Sequence, residues 1–103
     1  MNIDALRAKA VLAEGFLKTL ANRRRLLIVC ELLGGERSVG ELADAVGLSQ
    51  SALSQHLAKL RRTHLVATRR RAQTIFYSLA DPGVAAVTTA LYDRFCRPAR
   101  GKR

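Results

Sequence analysis

No apolar stretch of membrane length occurs in this 103-residue chain. The longest aliphatic run, Leu26–Val29 closed by Cys30, falls far short of the roughly 20 residues a span requires. The N-terminus lacks the basic end and apolar stretch of a secretory signal, so a soluble, cytoplasmic chain with no membrane partner is expected. Cysteine is scarce. Cys30 and Cys96 stand too far apart for a C-x-x-C redox motif or a zinc-ligand spacing, and two reduced, partly buried thiols are the plain expectation in a reducing compartment. Histidine is limited to His56 and His64, with no acid nearby to orient either. A glycine-rich phosphate loop, an H-E-x-x-H pair and a nucleophile elbow are all missing, so neither an enzyme, nor a metal site, nor a cofactor is expected. The most informative shortage is acid. Basic residues outnumber acidic ones 18 to 8 for a net charge of +10, and Ala45–Ala80 contains no Asp or Glu. Such a balance calls for an anionic partner, a nucleic acid or a membrane surface.

What is present is mainly helical, and the length suits one domain. Ile3, Leu6, Ala10, Ala13, Leu17 and Leu20 recur at steps of three and four, predicting a first helix over Ile3–Leu20. Leu12 and Phe16 widen its stripe enough for it to serve the core and a dimer interface together. Asn22 is placed to cap a second helix, Arg23–Leu33, ended by Gly34-Gly35, with Leu26, Val29, Cys30 and Leu33 on its inward face. Arg23, Arg24 and Arg25 crowd its first turn, where the helix dipole disfavours cations. Phosphate contact and a solvated charge cluster both account for them.

Ser38 and Glu41 form a capping box for a third helix ending at Val46, with Leu42 and Val46 as core residues. Gly47 supplies a left-handed turn, and Ser49 caps a fourth helix from Gln50 to about Thr63. A short helix, a glycine turn and a longer helix make a helix-turn-helix. Two strands, Val66–Arg70 and Thr74–Leu79, follow as a wing, joined at Arg71-Ala72-Gln73. His64 stands where a helix end usually places a left-handed glycine. Asp81-Pro82 starts the last helix, which carries Val84, Val87, Leu91 and Phe95 to about Cys96 or Arg97. The expectation is a winged helix-turn-helix, four helices, two strands and a fifth helix, over residues 1–97, with a disordered basic tail at 98–103.

Leu53, Leu57 and Leu60 share a narrow sector of the fourth helix. Opposite them lie Ser51, Gln55, Ala58 and Arg62, with Ser54 and Lys59 at the flanks and Gln50 at the start. Small residues let a helix approach base edges, and Gln bonds adenine in bidentate fashion. His56, at the edge of the apolar sector, packs or reaches the DNA. Arg69, Arg70, Arg71 and Gln73 would place the wing against phosphates or a minor groove. Double-stranded DNA is the partner these residues suit.

LSQSALSQHLAKLRR, followed by LVATRR and AQTIFYSL, resembles the ArsR/SmtB family of winged-helix bacterial repressors, with the likeness running from about Phe16 to Cys96. The resemblance implies a homodimer built on the first and last helices, binding a palindromic operator with half-sites about one DNA turn apart. The arsenic-sensing pattern needs a Cys-x-Cys pair, but Val29 and Glu31 flank Cys30. The zinc-sensing pattern needs His on the last helix, which offers Asp93 and no His. The lone cysteines in RLLIVCELL and LYDRFC instead resemble the dithiol of the persulfide-responsive subgroup typified by BigR, SqrR, YgaV and HlyU. For Cys30 and Cys96 this implies bridging by reactive sulfur or oxidant, with release of the operator. It implies, too, that the two cysteines are neighbours in the fold. Arg71 stands where the family often has an acid, and His64 where it often has Gly. An arsenite- or metal-responsive repressor using the same thiols, and an architectural DNA-binding protein without effector, are the alternatives.

Overall fold

Asn2 opens the chain with a side-chain cap, its Oδ1 accepting from the amides of Asp4 (3.0 Å) and Ala5 (3.2 Å) to start α1, Ile3–Ala8. The structure, a computed structural model, describes residues 1–97, so the basic tail expected at 98–103 lies outside the described residues. The first helix is not continuous: α1 stops at Lys9, and α2 covers Ala10–Leu20. Lys9 leaves the helical region (φ −109°, ψ 7°), and its amide bonds Leu6 O at 3.0 Å. No glycine or proline marks the break, so a periodicity reading runs straight through it.

Asn22 caps α3 (Arg23–Leu32), its Oδ1 accepting from the amides of Arg24 and Arg25 at 3.0 and 3.1 Å. The inward face of α3 is Ile28, Val29 and Leu32. Leu26 is half-buried, while Leu33 and Cys30 are exposed, so the phase expected from the sequence is wrong by a fraction of a turn. The cause is the unbroken run Leu26–Cys30, which is apolar around nearly the whole circumference. Packing against the next two helices selects the face, and periodicity alone cannot.

Strand β1 is only Arg37–Ser38. Ser38 then caps α4 (Val39–Val46) in a full capping box: its Oγ accepts from the Glu41 amide at 3.2 Å, and Glu41 accepts from the Ser38 amide at 2.8 Å. Gly47 adopts φ +69°, and the amides of Gly47 and Leu48 both bond Ala43 O, closing the helix into the turn. Ser49 Oγ accepts from the Ala52 amide at 3.1 Å and begins α5, Gln50–Arg62. Leu53, Leu57 and Leu60 are buried as their spacing predicts. At its far end His64 takes φ +63° and donates to Arg61 O, while Leu65 donates to Leu60 O, a Schellman closure built on histidine in place of glycine.

The sheet has three strands, not two. β2 (Val66–Arg71) and β3 (Thr74–Leu79) form the hairpin, and β1 pairs with the other edge of β3 through Arg37↔Tyr77 and Ser38↔Phe76. Two residues abutting a helix cap show no alternation, which is why β1 escapes detection by pattern. Asp81 Oδ1 accepts from the Gly83 amide at 2.7 Å, and Pro82 occupies the first turn of α6, Pro82–Phe95. The core gathers Leu20, the inner faces of α3, α4 and α5, and Leu65, Val66 and Val84. No helix among the described residues is long and apolar enough to cross a membrane.

Candidate nucleic-acid interface and dithiol pocket

Burial of Leu53, Leu57 and Leu60 fixes which side of α5 faces out. Gln50, Ser51, Ser54, Gln55, Lys59 and Arg62 are all exposed along it, together with Ala58. The sequence therefore turns a polar, acid-free surface outward by burying its opposite. Arg61 joins Ser54, Ala58, Arg62 and Tyr77 around a cleft of about 410 Å³ between α5 and β3. Tyr77 could not be foreseen there, because its place depends on the strand order.

His56 is half-buried and sits apart from that cleft, in a second one of about 340 Å³ lined by Asn22, Arg23 and Arg24. Burial lowers its pKa, and the positive charges of Arg25 and Arg24 lower it further. Both effects favour the neutral imidazole over the imidazolium.

The wing divides its arginines. Arg69 is engaged within the fold: its Nε and Nη2 donate to the two carboxylate oxygens of Glu36 at 3.0 and 2.6 Å, and its guanidinium lies 5.1 Å from the Phe76 ring centroid. The bidentate bond to Arg69 holds the Glu36 carboxyl below its ordinary range and raises the Arg69 pKa. Arg69 thus ties the middle of the wing hairpin to the residue just before β1, a role the sequence could not reveal because Glu36 lies 33 positions away. Arg70, Arg71 and Gln73 are exposed near the tip, with Ala72 in the left-handed region (φ +55°) turning the hairpin.

Cys30 and Cys96 come together, as the resemblance implied. Both line one pocket of about 210 Å³ with Leu26, Leu27, Thr88, Leu91, Tyr92 and Phe95. Neither is disulfide-bonded, and both are exposed, against the expectation of partly buried thiols. Cys30 reaches the pocket from the side of α3, and Cys96 is the C-cap of α6. Partial desolvation against the pocket wall pushes the Cys30 thiol pKa up, with further contributions from the charges of Glu31 and Cys96. Asp93 is paired with Arg97 at 3.1 Å. Among the described residues no three His, Cys, Asp or Glu side chains cluster as a metal site would require.

The profile of the bacterial regulatory proteins of the arsR family matches residues 22–68. The transcriptional activator HlyU of Vibrio cholerae is 50% identical over 94% of this chain and 90% of its own length. The chain belongs to the arsR family. Its fold agrees with that of the transcriptional repressor BigR from Xylella fastidiosa (TM-score 0.89, 41% identity, 95% of this chain and 100% of that one). Reduced HlyU from Vibrio cholerae superposes with a TM-score of 0.83 at 49% identity, covering 90% of this chain and 98% of that one. This arsR-family chain is therefore a DNA-binding transcriptional regulator with a winged helix-turn-helix, and not an enzyme.

Proposed function

We propose that this regulator is a dithiol sensor of persulfide or oxidant. As a homodimer it binds a palindromic operator when reduced and releases it when Cys30 and Cys96 of one subunit are bridged. The observation that carries this reading is the pairing of the two cysteines in one pocket walled by leucines and aromatics. A structure of reduced HlyU and a repressor, BigR, among its relatives support it. The dimer would use the exposed apolar residues of α1, α2 and α6.

The chemistry balances without a metal. One cysteine thiolate attacks the outer sulfur of a low-molecular-weight persulfide, taking up that sulfur and releasing the thiol. The second cysteine then attacks the inner sulfur of the new protein persulfide and expels hydrogen sulfide, leaving a disulfide. Where the second cysteine has itself taken up a sulfur from another persulfide, releasing a second thiol, its outer sulfur attacks the inner sulfur of the first protein persulfide and expels hydrogen sulfide. The trisulfide so formed relaxes the limit of about 7 Å between Cα atoms that a direct disulfide imposes. The bridge ties α3, which packs on α4 and α5, to the end of α6. A coupling of about 1–3 kcal/mol between bridge and operator changes affinity up to roughly 150-fold.

Operator retardation before and after glutathione persulfide, with intact mass on each sample, tests this. Release accompanied by an intramolecular bridge is expected, and Cys30→Ser or Cys96→Ser should bind but no longer let go. Indifference of DNA binding to the bridged state would overturn the sensor and leave the regulator. Stoichiometric arsenite or metal binding lost in either variant would move the trigger to a thiolate-metal site. Equal binding to every duplex would point to an architectural protein.

A further inference from the structure

We infer that Arg23, Arg24 and His56 form a clamp for a DNA backbone phosphate, on the flank of the recognition helix opposite the cleft of Arg61, Arg62 and Tyr77. The inference rests on the DNA-binding reading above and extends it to Arg23 and Arg24, outside the helix-turn-helix and wing. The two clefts lie on either side of one helix. At 3.6 residues per turn, Ser54 in the first and His56 in the second stand about 200° apart around the outward side of the helix, with Ser51 and Gln55 between them. A helix about 10–12 Å across fills a major groove about 12 Å wide, so groups on its two flanks meet the two opposed phosphate walls. One wall is then served by Arg61 and Arg62, and the other by Arg23, Arg24 and His56.

The run of three arginines separates into two kinds. Arg25 has a structural duty: its Nε donates to Thr19 O at 2.7 Å and ties α3 to the end of α2. Arg23 and Arg24 make no side-chain hydrogen bond or ion pair among the described residues. They nevertheless occupy a helix turn whose dipole opposes cations, so they cost stability. Arg24 also faces a half-buried imidazole whose protonation it disfavours. Cations gathered around an imidazole N–H lack an anion, and a phosphate oxygen supplies one while accepting from that donor. Such a contact fixes register and orientation but reads no base.

The probe is a duplex that the reduced, unaltered protein selects from a random-sequence pool, beside a scrambled duplex of equal length. Replacing both arginines (Arg23→Gln with Arg24→Gln) should weaken both complexes by the same factor, leave their ratio unchanged, and lower the magnitude of the salt slope by about 1–2. His56→Gln should weaken both duplexes alike. Arg7→Gln with Lys9→Gln, neither of them lining the cleft, removes the same two charges and serves as the control for net charge. A slope unchanged in the double variant, or reduced no more than in the control, would overturn the clamp and leave the regulator intact. A changed ratio between the duplexes would also overturn it, because it would assign these residues to base reading. Failure of the unaltered protein to select any duplex would overturn both readings.

Discussion

Two residues carry pH dependences of opposite use. Cys30 holds its proton above the ordinary thiol value of 9.0, because burial and the charges of Glu31 and Cys96 disfavour the thiolate. Its alkylation by iodoacetamide should therefore be slow at pH 7 and rise with a midpoint above that value, and Glu31→Gln should move the midpoint down. Mass-resolved labelling of Cys96→Ser reads Cys30 alone. His56 works on stability. Its folded pKa lies below 6.5, so the unfolded chain binds more protons in that region, and stability falls as pH drops through 6.5. The fall levels off below the folded pKa. Glu36 and Glu41, both held below the ordinary carboxylate value of 4.5, add their own loss only in more acidic solution. Thermal melts from pH 7.5 to 5 should slope for the unaltered protein and flatten for His56→Gln. An unchanged slope would place the titration elsewhere.

Elements divide by what sets them. Helices bounded by side-chain caps were legible in the sequence, because Asn22, Ser38 with Glu41, Ser49 and Asp81 form their bonds locally. The recognition helix was legible for a second reason: its apolar residues occupy one sector only, so burying Leu53, Leu57 and Leu60 dictates the outward face. The facing of α3 was not, since its central run Leu26–Cys30 is apolar nearly all round and takes its phase from its neighbours. Nor was β1 or the Glu36–Arg69 pair, which exist only once the chain has returned on itself. The site follows the same rule. The outward residues of α5 were readable, the pocket that joins the cysteines came through family resemblance, and Tyr77 and Glu36 depended on topology. Three substitutions test the ranking. Leu57→Ala, at 1% exposure, should cost about 2–5 kcal/mol in denaturant unfolding. Ser49→Ala should cost about 1 kcal/mol, the worth of a lost cap. Glu36→Gln should change stability little, since the pair is partly exposed. It should, however, loosen the wing, seen as faster amide exchange in β2.

At the scale of the whole molecule, the subunit is extended and incompletely covered. Its Cα radius of gyration is 15.5 Å, against about 13 Å for a compact chain of roughly 100 residues. The surplus coincides with apolar side chains left in water: Val11 at 81%, Leu12 at 69% and Leu17 at 56% on α2, and Phe95 at 71% on α6. Only Thr19 and Leu20 of α2 are buried, so the helix contributes little to its own subunit's core. Exposed apolar residues of this kind call for a partner, and a second copy would satisfy both them and the symmetry of the palindromic operator proposed above. Joining two recognition helices makes the second half-site contact intramolecular and raises affinity by about 10²–10⁴. Leu12→Asp together with Leu17→Asp should therefore yield monomers in sedimentation equilibrium, because each buried carboxylate would lack a counter-charge. Operator affinity should fall by about that same factor, while binding to a single half-site stays as it was. A variant that remains dimeric, or a monomer that binds the full operator undiminished, would refute the pairing of α2 and α6 as the device that spaces the two recognition helices.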